Sequence, residues 1–175
     1  MLRLHRALSV PALGALLATA ACRGSMGRPV ERGDMPPPFA LETLQGEVLR
    51  FPEGFAGRRG VVIRFWSATC PACGPRLKDL EPVAGRLAEA GVSFVAINVG
   101  QDRRTVEAIA RKLVLGFPLI VDERAATAKA WGVRTLPSTF FVGADGRVRE
   151  KLVGEADAAA FEESARKLVA PGGRP

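Results

Sequence analysis

The sequence predicts an α/β fold with a mixed central sheet flanked by helices. Three observations carry this. Nearly continuous apolar runs, VVIRFW at 61–66 and VSFVAINV at 92–99, have the character of strands buried on both faces. Segments of helical periodicity follow both runs. Near the end, the turn GADG at 143–146 joins two further strands tightly enough to make them antiparallel. Strand–helix alternation that closes in a hairpin and a helix gives a sheet with parallel and antiparallel neighbours.

In chain order, Phe39–Leu41 and Val48–Phe51 flank Gln45-Gly46 and predict a small N-terminal hairpin. Val61–Trp66 is the first buried strand. After it comes CPAC, then a helix to about Ala90 with Leu77, Leu80, Val83, Ala84 and Leu87 inward. Pro75 and Pro82 both threaten that helix, because proline has no N–H to donate and its ring crowds the preceding turn. Val92–Val99 is the next strand. Val106, Ile109, Ala110 and Leu113 mark an amphipathic helix, with Asp102 or Thr105 as its cap. Pro118–Val121 is a short strand, and Ala125–Trp131 is a short helix that stops at Gly132. Ser138–Val142 and Arg147–Val153 form the hairpin. Phe161, Ala165, Leu168 and Val169 give the inner face of a terminal helix.

The length of 175 residues suits one domain, and 47% apolar residues suffice for a core. The net charge of +7 comes from 20 Arg and 5 Lys scattered along the chain. They form no run and have no interleaved aromatics, so a nucleic-acid groove is not indicated. The chain opens as a secretory leader: Arg3 and Arg6, then the mostly apolar Ala7–Ala21, broken by Pro11 and ending in small residues. TAAC, ending at Cys22, resembles the lipobox of bacterial lipoproteins, with Thr19 where leucine is usual. The expected organisation is a signal peptide at 1–22 with Cys22 lipidated, a flexible tether at 23–35, a domain at 36–170 and a disordered tail at 171–175. The expected location is the bacterial cell envelope, on its periplasmic side and anchored to a membrane by lipid. Loss of the leader removes His5, the only histidine, and with Cys22 carrying lipid only Cys70 and Cys73 remain, an even pair in a compartment that permits disulfides.

The stretch WSATCPACGP at 66–75 admits several chemistries. A cysteine at a strand-to-helix junction meets unpaired backbone N–H groups, which favour its thiolate. Cys70 holds that place, Cys73 follows one helical turn later, and Pro71 suits a first helical position. Such a dithiol can cycle: the Cys70 thiolate attacks a partner disulfide and Cys73 resolves the mixed disulfide. A purely structural bridge would close a loop too short to stabilise much. A zinc site needs about four ligands, and the mature chain offers two thiolates and no histidine. A peroxide-reactive cysteine of the Pro-x-x-x-Thr-x-x-Cys type would place Ile63 and Ser67 at the proline and threonine positions.

The order of motifs from about Asp34 to Ala170 resembles the thioredoxin superfamily, and within it the TlpA/ResA-like thiol–disulfide oxidoreductases. The lead-in PPPFAL…VLRF precedes VVIRFWSATCPAC, followed by FPLIVDERAATAKAWGV, TLPSTFFVGADGRV and the terminal helix. The resemblance implies a thioredoxin-like fold with an N-terminal hairpin and an extra strand–helix element between Cys73 and Pro137. It makes Cys70 and Cys73 catalytic and Pro137 a cis-proline packed on the disulfide. Leu136 would pair its backbone with a substrate chain. Trp66, Pro71 and Ala72 would add to the substrate-facing surface. No cofactor or metal is implied.

Three positions depart from the family pattern. Arg64 stands where Asn, or a buried proton-handling Asp, is usual, and Arg76 stands where many members carry Glu. Thr69 replaces the Trp that usually precedes the first cysteine. Neither usual acid is then present to help deprotonate Cys73. Either arginine could instead favour a thiolate by its charge if it points inward; the expectation is that Arg64 snorkels to the surface and Arg76 is a solvated helix residue.

The expected function is an exported, membrane-tethered, monomeric oxidoreductase that reduces disulfides in exported partner proteins. By resemblance, its partners include apocytochrome c, and its electron donor is a membrane thiol transporter. Two other readings stay open: a peroxiredoxin-like peroxidase, and a thioredoxin-fold binding or chaperone module with incidental thiols.

Overall fold

The structure is a computed structural model that describes residues 26–70 and 73–169. Cys22, Pro71, Ala72 and the 171–175 tail therefore lie outside the described residues. The hairpin β1 (Phe39–Glu42) and β2 (Val48–Phe51) comes first. Strand β3 (Gly60–Trp66) then leads to α1 (Cys73–Asp79) and α2 (Glu81–Glu89). Next come β4 (Val92–Val99), α3 (Arg103–Leu113), β5 (Leu119–Asp122) and α4 (Ala126–Ala130). The chain closes with β6 (Ser138–Gly143), β7 (Val148–Val153) and α5 (Ala158–Val169).

The five-stranded sheet has the order β5-β4-β3-β6-β7. Strands β3, β4 and β5 run parallel, while β6 and β7 are antiparallel to their neighbours, as the turn at 143–146 requires. Strand β5 lies at one edge. With α3 and α4 beside it in the chain, it supplies the additional strand and helix expected between Cys73 and Pro137.

Every residue of β3 is buried, so its two faces anchor two cores. Val62 and Trp66 join Cys73, Leu77, Leu87 and Phe161 on one side. Val61, Ile63 and Phe65 join Trp131, Phe140 and the hairpin residues Phe39 and Phe51 on the other. The second core centres on Trp131, whose ring lies 5.1–6.2 Å from those of Phe39, Phe51, Phe65 and Phe140. Its indole N–H donates to the Pro37 carbonyl at 2.9 Å, which satisfies the polar atom of a fully buried ring.

Two expectations change here. The helix after CPAC is interrupted at Leu80, two residues before Pro82. Pro82 cannot return a hydrogen bond to the preceding turn, so the chain restarts as α2 with proline in its first turn, where no N–H is missed. The segment 26–35, expected as part of a flexible tether, is docked. Gly27 N–H donates to the Lys129 carbonyl, Val30 N–H to Trp131 and Gly33 N–H to Val148. Val30 is 4% exposed, and Glu31 pairs with Lys151 at 2.7 Å. One apolar side chain and three backbone bonds outweigh the loop-like composition of this stretch.

Trp131→Ala is expected to destabilise the domain by about 3–5 kcal/mol through the cavity left among four aromatic rings. A urea unfolding midpoint shifted by a correspondingly large amount checks this.

Candidate active site

The site is assembled where β3 ends. Cys70 and Cys73 are joined by a disulfide with a Cα–Cα distance of 5.3 Å. Cys70 is half-buried, whereas Cys73 is 0% exposed at the start of α1. The Cys73 N–H donates to the Cys70 carbonyl and the Cys70 N–H to that of Ser67, so a short turn carries both cysteines. One sulfur is thus within a partner's reach and the other lies under it.

The approach to Cys70 is fixed by Gln101, just after β4. Its side-chain oxygen accepts from the Ala68 N–H at 2.7 Å, from Asn98 Nδ2 at 2.9 Å and from the Ser67 hydroxyl at 3.2 Å. Ser67 and Thr69 hydroxyls lie 3.0 Å apart. Gly100 precedes Gln101 at φ +75°, a conformation that returns the chain toward β3 without a side-chain clash.

The Leu136–Pro137 peptide is cis, and Pro137 is buried at the entry to β6 while Leu136 is half-buried. The Pro137 carbonyl accepts from the Gly154 N–H at 2.8 Å. Gly154 has φ +85° just after β7, and it turns Glu155 toward the cysteines. One carboxylate oxygen of Glu155 and both sulfurs lie within 4.8 Å of one another.

Arg64 does not reach the surface, contrary to expectation. It is 2% exposed in the middle of β3. It donates through Nη2 to both Glu155 oxygens, at 2.9 and 3.1 Å, and through Nη1 to the Thr139 hydroxyl at 3.1 Å. Thr139 is its direct cross-strand partner on β6. A guanidinium this deep needs a carboxylate, and Glu155 supplies one. Burial pushes the Arg64 pKa down, and the attraction and hydrogen bond of Glu155 oppose that shift. Arg76 is solvated as expected, with 57% of its side chain exposed and Asp79 at 3.4 Å.

Trp66 requires a second correction. It is fully buried in the core beside Leu77 and cannot touch a docked partner. Its place at the end of a two-sided buried strand explains this. Thr69, by contrast, is exposed next to Cys70. Glu155, Gln101 and Thr139 are the site residues the motif reading missed. The available signal was Arg64 itself: a cation inside an apolar strand demands an acid, although the sequence does not say which of 18.

A model of the AhpC/TSA family matches residues 32–151. The chain belongs to the AhpC/TSA family. Within it the chain is ResA-like. It is 32% identical to the thiol-disulfide oxidoreductase ResA of Geobacillus thermodenitrificans, over 70% of this chain and 69% of that protein. It is 31% identical to ResA of Halalkalibacterium halodurans, over 63% of this chain, and it spans only 61% of that relative's length. A thiol:disulfide interchange protein of the thioredoxin family from Chlorobium tepidum has the same fold, with a TM-score of 0.69 and 21% identity over 80% of this chain and 99% of that one. The ResA-like relatives and the Cys70–Cys73 pair together make this member of the AhpC/TSA family a protein thiol–disulfide oxidoreductase.

Gln101→Ala is expected to cost about 1–3 kcal/mol, because the Ala68 N–H and the Asn98 amide lose their acceptor. Hydrogen exchange at the Ala68 amide is expected to accelerate in Q101A and to stay slow in Q101E, which keeps an oxygen in place.

Proposed function

We propose that the chain is an exported reductase that passes electrons from its Cys70/Cys73 dithiol to disulfides in other exported proteins. The observation that carries this is the disulfide that joins a half-buried Cys70 to a fully buried Cys73. An accessible sulfur attacks, and a sheltered one waits to resolve the mixed disulfide. The Leu136 backbone leads into β6 through a cis peptide, suited to pair with an extended substrate segment. The dipeptide Pro71-Ala72 brings no cation to stabilise the Cys70 thiolate, which favours the reducing direction.

The leader supports export. Arg3, Arg6, the apolar 7–21 stretch and Cys22 support lipid attachment at the periplasmic face of a bacterial membrane. Among the described residues, no helix is long and apolar enough to cross a membrane. On this reading the domain docks on membranes only through its lipid, receives electrons from a membrane thiol transporter, and counts apocytochrome c among its partners.

Cys73→Ser is expected to trap partner proteins as mixed disulfides on Cys70, visible as reducible adducts on gels, while Cys70→Ser traps none. Equal trapping by both variants, or by neither, would count against the assignment. The equilibrium potential against glutathione is expected to fall near that of thioredoxin, about −270 mV, and a value close to the strong oxidants at about −120 mV would reverse the direction. Cys22→Ser is expected to release the protein from the membrane fraction.

A further inference from the structure

Thiol–disulfide exchange leaves one step without an agent. Cys73 is fully buried, so bulk water does not reach its sulfur to take a proton from it. It must lose that proton before it can attack. Arg64 and Arg76 are cations and take no proton, so the proton has to leave by another route.

We propose that Glu155 is the proton acceptor for Cys73, and that Arg64 is the residue that positions it. The proposal rests on the exchange reading of the dithiol. Glu155 is the one carboxylate grouped with both sulfurs among the described residues, its oxygen within 4.8 Å of each. That distance is bridged by one water or by a small side-chain rotation. The Glu155 side chain is 29% exposed, so it touches solvent while facing the dithiol. A cavity of about 160 Å³, lined by Arg64, Arg76, Asp79, Leu80, Glu155 and Ala156, opens beside it. At about 30 Å³ per water, that space holds several.

The surroundings favour this assignment. The charges around the cavity are Arg64 from β3, Arg76 and Asp79 from α1, and Glu155 from the loop after β7. Arg76 and Asp79 pair with each other. On the packed helices, Arg103 and Glu107 of α3 pair with each other, Arg103 also holds Glu42, and Glu162 of α5 holds Arg86. Glu155 therefore remains as the carboxylate aimed at the sulfurs. Arg64 holds both its oxygens, the Thr139 hydroxyl holds Arg64, and the Gly154–Pro137 bond fixes the loop from which Glu155 projects.

In the step itself, Glu155 takes the proton from Cys73 Sγ. The Cys73 thiolate attacks Cys70 Sγ in the mixed disulfide. The Cys70–Cys73 bond forms as the Cys70–partner bond breaks. The partner sulfur leaves with the bonding electrons and is protonated by Glu155 or through the cavity. The dithiol has lost two electrons, and the partner disulfide has gained two.

The test uses the reduced full-length protein and 5,5′-dithiobis(2-nitrobenzoic acid) in stopped flow. The first thiolate release reports attack by Cys70, and the second reports resolution by Cys73. In Glu155→Gln, whose amide oxygen still accepts from Arg64, resolution near neutral pH is expected to slow about 100-fold, the lower bound for general-base catalysis. It should then recover by about tenfold per pH unit, as free thiol ionisation takes over. The first phase should change by less than about twofold. The double variant Arg64→Met/Glu155→Gln removes the buried cation together with its carboxylate partner, and it carries the test should the single variant not fold. Resolution within about twofold of the parent across pH 6–9 in either folded variant would overturn the proposal. An equal slowing of both phases would also overturn it. Absence of the first phase in the parent protein would instead remove the exchange reading on which the proposal stands.

Discussion

A guanidinium buried in the middle of the central strand is the constraint around which the site is organised. Arg64 lies on β3 between Ile63 and Phe65, with almost no water contact. Leaving such a charge unpaired costs several kcal/mol, and breaking a buried pair typically costs about 3–5 kcal/mol. The chain answers from three places. Strand β3 brings the cation, β6 brings the Thr139 hydroxyl, and the turn after β7 brings Glu155. These are also the segments that bracket the dithiol and Pro137. The electrostatic requirement of one side chain thus fixes the relative placement of the parts that must meet for exchange.

Around that pair, packing and hydrogen bonding divide the labour. The Val62–Trp66 face of β3 seats α1 and buries Cys73, while the opposite face is filled by Trp131 and its neighbouring phenylalanines. Both faces are packed against buried side chains, which fixes the strand end where it hands over to the Cys70 turn. Gln101 then holds that turn from the parallel neighbour β4, through three donors on one oxygen. The accessible and the sheltered cysteine differ because one sits on the turn and the other on the first residue of a packed helix.

Much of this was legible in the sequence, for physical reasons that differ by element. Strands β3 and β4 announce themselves because burial on both faces leaves no polar alternation. The dithiol and the TLP segment are short motifs whose chemistry depends on neighbours in sequence. The break at Leu80 was visible as proline, but its position follows from which carbonyl goes without a partner. Arg64 was ambiguous: a long cationic side chain in an apolar run can extend to water or find an acid, and local sequence does not distinguish the two. Its acid lies 91 residues away, brought in only by the β6–β7 hairpin. Trp66 illustrates the converse: the resemblance put it on the substrate-facing surface, whereas a tryptophan that closes an apolar strand packs by default in the core, and there it lies.

The docking of residues 27–33 against α4 and β7 also sets a scale outside the domain. If Cys22 carries lipid, as proposed, it lies five residues before the backbone bond at Gly27. Five residues span at most about 18 Å. A domain so tethered would be held to a thin layer at the membrane surface, and the clients it would meet most often are those emerging from, or held against, the same bilayer.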